Sequence, residues 1–116
     1  MPELKKYQMF IDGQWVDSDT KKTFETLNPE NNKPWAVVPE ASANDVDRAV
    51  KAAQKAFEGE WPKMLARDRA KYLRAIGNKL RENSELLGKI ETIDTGKLYR
   101  ETYQQAKYIA EYYDYY

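Results

Sequence analysis

The side chains that most often carry catalysis are missing from this sequence. It has no cysteine and no histidine, and so no thiolate nucleophile, no imidazole base and no zinc site of the usual kind. Its five glycines, Gly13, Gly59, Gly77, Gly88 and Gly96, lie too far apart for a G-x-G-x-x-G turn or a loop that cradles phosphate. What remains is a set of carboxylates and nine tyrosines, seven of them from Tyr99 onward. Tyrosines gathered on one segment call for something large to pack against, with their hydroxyls meeting polar partners at the rim. The pairs Lys5-Lys6 and Lys21-Lys22 read most simply as solvated surface.

The chain has 116 residues, 41% of them apolar and 33% charged, with 19 Lys+Arg against 19 Asp+Glu. That length suits one small domain or part of a larger one. Balanced charge removes the broad basic footprint of a nucleic-acid binder. The opening Met1-Pro2-Glu3-Leu4-Lys5-Lys6-Tyr7 has no apolar run behind its lysines and is not a signal peptide. No apolar stretch approaches the roughly 20 residues that span a bilayer. The expectation is a soluble, cytoplasmic chain without a nucleic-acid or membrane partner.

Two segments differ in character. Residues 1–41 hold four of the five prolines and alternate short apolar runs with turn residues. Met9-Phe10-Ile11 and Gln14-Trp15-Val16 flank Asp12-Gly13, a pair suited to the positive φ angles of a type I′ hairpin turn. After the polar stretch Asp17–Lys22, Thr23–Asn28 and Trp35–Val38 flank a turn at Glu30–Lys33. This predicts a four-strand antiparallel unit or two hairpins. Residues 42–116 read as about four helices. Ser42 and Asp45 form a capping box ahead of a face made of Val46, Ala49, Val50, Ala53 and Phe57. Gly59 and Pro62 break the chain. Ala66, Ala70, Leu73, Ile76 and Leu80 make a second apolar face, ending near Asn83. Ser84 is placed to cap a third helix carrying Leu86, Leu87, Ile90 and Ile93, which Gly96 stops in a left-handed turn. A fourth begins near Tyr99, with Tyr103, Ala106, Ile109, Ala110 and Tyr113 inward. It reaches Tyr116 with no stop signal, which predicts a piece of a longer protein cut inside a helix.

In order and spacing these segments resemble the N-terminal region of the aldehyde dehydrogenase superfamily. The resemblance is carried by Phe10-Ile11-Asp12-Gly13-Gln14-Trp15-Val16, by Phe24 to Pro29, and by Val38-Pro39-Glu40-Ala41-Ser42. It continues through Asp45 to Val50, Ala52-Ala53, Ala56-Phe57, Trp61, Arg69-Ala70 and Leu80-Arg81-Glu82-Asn83. It ends with Glu91 to Lys97 and Tyr112-Tyr113. Two features depart from the family pattern: Leu98 stands where proline often follows Gly-Lys, and Asp114-Tyr115-Tyr116 replaces an Ala-Gly-Trp-like ending.

The resemblance implies an α/β fold, with residues 1–116 as an incomplete N-terminal part of a Rossmann-type cofactor domain. It implies NAD or NADP as cofactor, an aldehyde as substrate, and a homo-oligomer, dimer or tetramer. In that family a cysteine thiolate attacks the aldehyde, hydride passes to nicotinamide, and a glutamate activates water to release the acid. An asparagine amide helps to hold the oxyanion. The resemblance puts all of these beyond Tyr116, so no catalytic or cofactor-binding residue is assigned here. One implied site does map onto this chain: a structural monovalent cation held by the Thr26 and Leu27 carbonyls and Asp94, hard oxygen donors suited to such an ion. The bland alternative is that Asp94 serves a helix end and Thr26 is an ordinary strand residue. The resemblance also puts the last helix beside the aldehyde entrance, where Tyr103, Gln104, Gln105 or Tyr108 would touch substrate; the alternative is packing. Arg69 is expected to make a structural ion pair. Two competing readings of the whole stay open, a stand-alone helical interaction module and a non-catalytic relative of the dehydrogenases.

Overall fold

The structure is a computed structural model that describes residues 4–116, so Met1 to Glu3 of the opening segment lie outside the described residues. The chain divides into two compact units. One comprises residues up to Leu27 together with Asn32–Lys63, the other Asn28–Asn31 together with Met64–Tyr116. As expected, it is a mixed α/β chain, short strands first and four helices after them.

In the first unit the hairpin forms as the sequence predicts. Strands β2 (Met9–Ile11) and β3 (Gln14–Val16) pair antiparallel, with Phe10 opposite Trp15. Asp12 at φ 51° and Gly13 at φ 77° supply the turn. The other strands do not join it in a four-strand unit; Thr23–Asn28 and Lys33–Pro39 neighbour each other in a sheet of their own, in keeping with the two-hairpin alternative, but a further strand joins them. A separate three-stranded sheet forms in the order β1-β5-β4, from Lys5–Lys6, Lys33–Pro39 and Thr23–Asn28. Strand β1 runs parallel to β5, pairing Lys5 with Ala36 and Lys6 with Val37, and Tyr7 N donates to Val37 O at 3.0 Å. The physical reason is the edge of β5, whose backbone groups need partners. A two-residue strand shows no alternation by which a sequence could announce it.

Helix α1 (Ala43–Glu58) follows the Ser42/Asp45 capping box, and a 3-10 turn at Trp61–Lys63 closes the unit. Its predicted apolar face does not face inward: Val50 is 60% exposed and Phe57 69%. The helix meets its own unit through the side that carries Asp45 and Ala52.

The second unit is built on helices α2 (Ala66–Glu82), α3 (Ser84–Thr95) and α4 (Tyr99–Tyr115), with α4 packed against both others. Its core is made of small residues. Ala106 and Ala110 are buried as expected, but their buried companions are Gly77, Ser84, Gly88 and Thr102. Leu86, Leu87 and Ile93, the apolar residues carried by α3, are exposed, as are Ile76 of the α2 apolar face and Ile109, expected inward on α4. The glycines explain the difference. A Cβ on Gly88 would stand 2.9 Å from Tyr103 Cα and N, and one on Gly77 3.0 Å from Ala110 O. Helices that approach so closely meet along their small residues and leave the longer side chains flanking the contact. Ser84 is no cap either. Asn83 ends α2 and starts α3 with no loop between them, and its amide is turned back onto Lys79 O at 2.8 Å. Gly96 ends α3 at φ 75°, as predicted.

Candidate functional site

Two groups of polar side chains are buried, one in each unit. In the first, Asp45 is fully buried and its carboxylate is surrounded by donors. Ser18 Oγ donates to Oδ2 at 2.9 Å, Ser42 N at 3.0 Å and Asp19 N at 3.2 Å, while Arg48 Nη2 reaches Oδ1 at 3.0 Å. Hydrogen bonding to the ionised form outweighs desolvation. The Ser42 backbone bond, with the Ser18 and Asp19 bonds behind it, holds the carboxyl down from 3.8 to about 2. Asp19 is also lowered, first by the Ser42 side chain and then by Asn44, whose Nδ2 donates to it at 2.9 Å. A carboxylate so saturated is a poor base and a poor metal ligand. It ties the Asp17–Lys22 segment to the start of α1. The capping box was readable in Ser42-x-x-Asp45; the tie to Ser18, 27 positions away, had no local signal.

In the second unit Thr102 is the centre. Its hydroxyl lies 2.9 Å from Gly88 O and 3.0 Å from Tyr99 O, and pairs with Thr92 Oγ1 at 2.9 Å. With Thr102 donating to a carbonyl, Thr92 donates to Thr102, and the pair joins α3 to α4. Sequence periodicity missed Thr102 because it looked for apolar residues.

The tyrosines of α4 divide between packing and solvent. Tyr103 is half-buried, stacked on Tyr99 with centroids 5.9 Å apart and covered by the Lys107 ammonium at 4.2 Å. Tyr108 is exposed, its phenol raised above the ordinary value chiefly by its hydrogen bonding with Tyr112. Gln104 and Gln105 are exposed on the same helix. Arg69 donates to the Met64 carbonyl, a structural role through a backbone oxygen rather than the ion pair expected.

Thr26 and Leu27 are neighbours on β4 in the first unit, whereas Asp94 lies in the last turn of α3 in the second. Within the second unit the Asn28-Pro29 turn packs on the end of α3: a Cβ at Gly96 would come within 3.0 Å of Pro29 Cγ. Among the described residues no three His, Cys, Asp or Glu side chains are grouped to hold a metal. Among them, too, no helix is long and apolar enough to cross a membrane.

Short strands ahead of four helices make a mixed α/β chain, and its buried Asp45 carboxylate and Thr102 hydroxyl are both engaged in structural hydrogen bonds. Comparison with known proteins gives the family. The profile described as the aldehyde dehydrogenase family matches residues 15–116, and the chain belongs to that family. It is 42% identical over 101 residues to aldehyde dehydrogenase family 2 member C4 of Arabidopsis thaliana, covering 86% of this chain and 20% of that protein. Among solved structures it is similar to an NAD-dependent aldehyde dehydrogenase from Sinorhizobium meliloti, at TM-score 0.93 and 31% identity, over 97% of this chain and 23% of that one. It is also similar to the betaine aldehyde dehydrogenase of Staphylococcus aureus, solved in complex with NAD+, at TM-score 0.89 and 40% identity, over 93% and 22% of the two chains. The chain thus spans about a fifth of the length of these relatives.

Proposed function

We propose that the chain is the N-terminal part of the NAD(P)-binding domain of an enzyme that oxidises an aldehyde to a carboxylic acid. In the complete enzyme the aldehyde hydrogen leaves as hydride for nicotinamide, and water supplies the second oxygen of the acid. The cysteine nucleophile, the glutamate base and the cofactor loop come from chain that is not among these 116 residues, which on their own do not catalyse. The observation that carries this reading is the backbone match along almost the whole chain to an NAD-dependent aldehyde dehydrogenase over four times its length.

The surface supports it. The chain exposes 9068 Å², whereas two separate compact units of these sizes would expose only about 7,900 Å² in total. The excess is independent of how the units are arranged. It fits helices whose outer faces, Val46, Val50 and Phe57 on α1 and Leu86 and Ile93 on α3, are exposed here and are covered in the complete enzyme. The cation role of Thr26, Leu27 and Asp94 belongs to the same proposal and rests on donor chemistry alone, two carbonyl oxygens and a carboxylate for a hard monovalent ion.

The test compares the 116-residue chain with the product of its full reading frame, following NADH formation from NAD+ and a panel of aldehydes. The chain alone should give no turnover and no saturable NAD+ binding, and the full product should give turnover. A chain that oxidises aldehydes by itself, or a full product without cysteine, refutes the proposal.

A further inference from the structure

Where α2 and α3 meet at Asn83, the start of α3 is left open. The Asn83 side chain, placed to cap it, donates instead to Lys79 O at 2.8 Å and gives α3 no capping bond. The first bond of the helix runs from Leu87 N to Asn83 O at 2.9 Å. The N–H groups of Ser84, Glu85 and Leu86 are therefore left over, at the positive end of the helix dipole. All three residues line a cavity of about 460 Å³ within the second unit.

The Ser84 hydroxyl is an independent sign of a ligand. Ser84 is only 4% exposed, yet its Oγ has no hydrogen-bond partner among the described residues. A serine in such a place usually turns its hydroxyl onto nearby backbone, and buried polar groups nearly always find a partner. Nor is this one sealed in. Among the described residues the partnerless side-chain atom that has lost all contact with solvent is the Tyr7 hydroxyl. The Ser84 Oγ still meets solvent, through the cavity that Ser84 lines.

The cavity wall carries a small positive excess once its internal pairs are set aside. Arg81 is held by Asp114 and by Asn78 Oδ1 at 3.2 Å, and Glu82 by Lys79 Nζ at 2.8 Å. Lys89 and Lys107 have no carboxylate partner among the described residues, and Lys107 is fixed over the Tyr103 ring at 4.2 Å. Glu85 is the one remaining carboxylate, and it makes no bond to the open N–H groups. Two ammonium groups against one carboxylate leave one positive charge, the complement of a monoanion. A carboxylate fits: at unit charge it offers two oxygens, each able to accept more than one bond.

We propose that this cavity holds the carboxylate of a small organic acid. Ser84 Oγ and the open N–H groups of α3 donate to its oxygens, and Lys89 and Lys107 supply charge. The site lies wholly in the second unit and does not rest on the dehydrogenase reading, so either can fail without the other.

The experiment titrates the full chain with sodium acetate, ionic strength being held constant with sodium chloride, and follows amide chemical shifts and calorimetry. Saturable shifts at Ser84, Glu85 and Leu86 are expected. Ser84→Ala should weaken binding about tenfold, the worth of one hydrogen bond to a charged group. It should not lower the urea midpoint, because the hydroxyl has no partner in the free chain to lose. Lys107→Gln should weaken binding several-fold, and Glu85→Gln should tighten it several-fold by removing the nearest competing charge. The absence of saturable shifts at these amides overturns the proposal. So does a Ser84→Ala chain that binds like the parent, or one with a lower urea midpoint, which would show that the hydroxyl serves the fold. A Glu85→Gln chain that binds acetate no more tightly than the parent overturns it as well.

Discussion

Adding one methyl group at Gly88 tests the packing of the second unit directly. In a free helix Gly→Ala stabilises by about 1 kcal/mol, because alanine loses less backbone entropy. At Gly88 the new Cβ would meet Tyr103 Cα and N at 2.9 Å and Tyr103 Cβ at 3.2 Å. These are atoms of the facing helix backbone, and no rotamer change removes them. Helix α4 must therefore move away from α3, with an overpacking cost of about 1–3 kcal/mol. The same movement stretches the Thr102 hydroxyl bond to Gly88 O, now 2.9 Å, a loss of about 1 kcal/mol. After the helix-propensity gain the net destabilisation is about 1–3 kcal/mol, or a melting point lower by roughly 4–20 °C in a domain of this size. Urea unfolding followed by far-ultraviolet circular dichroism gives the value. Gly77→Ala is the internal comparison. Its nearest contacts, Ala110 O at 3.0 Å and Asp114 Oδ1 at 3.1 Å, are slightly longer, and one belongs to a side chain, so it should cost less. A Gly88→Ala chain as stable as the parent, or more stable, would mean that α3 and α4 are not packed backbone to backbone and would refute the reasoning.

Other outcomes follow from the same contacts. Thr102→Val keeps the shape but leaves the Thr92 hydroxyl without its buried partner, and should cost about 1–2 kcal/mol in urea unfolding. Acid should weaken the first unit in a defined window. Because folding lowers the Asp45 carboxyl from 3.8 to about 2, its stabilisation is complete above about pH 4 and is lost as pH falls toward 2; Asp45→Asn should start less stable and lose less on acidification through that range, as melting curves will show. The exposed apolar faces of α1 and α3 predict self-association of the isolated chain, and a compact, dye-free monomer in sedimentation and ANS fluorescence would contradict it. Lys21→Gly should stabilise the free chain by up to about 1 kcal/mol, since glycine adopts a φ of 59° without strain.

Which features were legible in the sequence follows from the range of the forces that make them. The Asp12-Gly13 turn, the Ser42/Asp45 capping box and the Gly96 helix stop are each decided by a few adjacent residues, and each forms where the residue types demand it. Helix existence was legible for the same reason, but helix orientation was not. Periodicity placed Val46, Val50 and Phe57 on one face of α1, and they share one; it could not say that all three stay exposed among the described residues. In the second unit the same rule went astray, because apolar size was taken as the mark of a core. Here the contact is made by Gly77, Gly88, Thr102, Ala106 and Ala110, residues that pack by letting backbones approach. A helix set that packs through its smallest residues on one side and leaves leucine and isoleucine exposed on the other carries an apolar pattern beyond the one its own contact uses. That double patterning, rather than any catalytic residue, is what the sequence encodes most strongly. It explains why family membership was readable from order and spacing while the chemistry of the reaction was not.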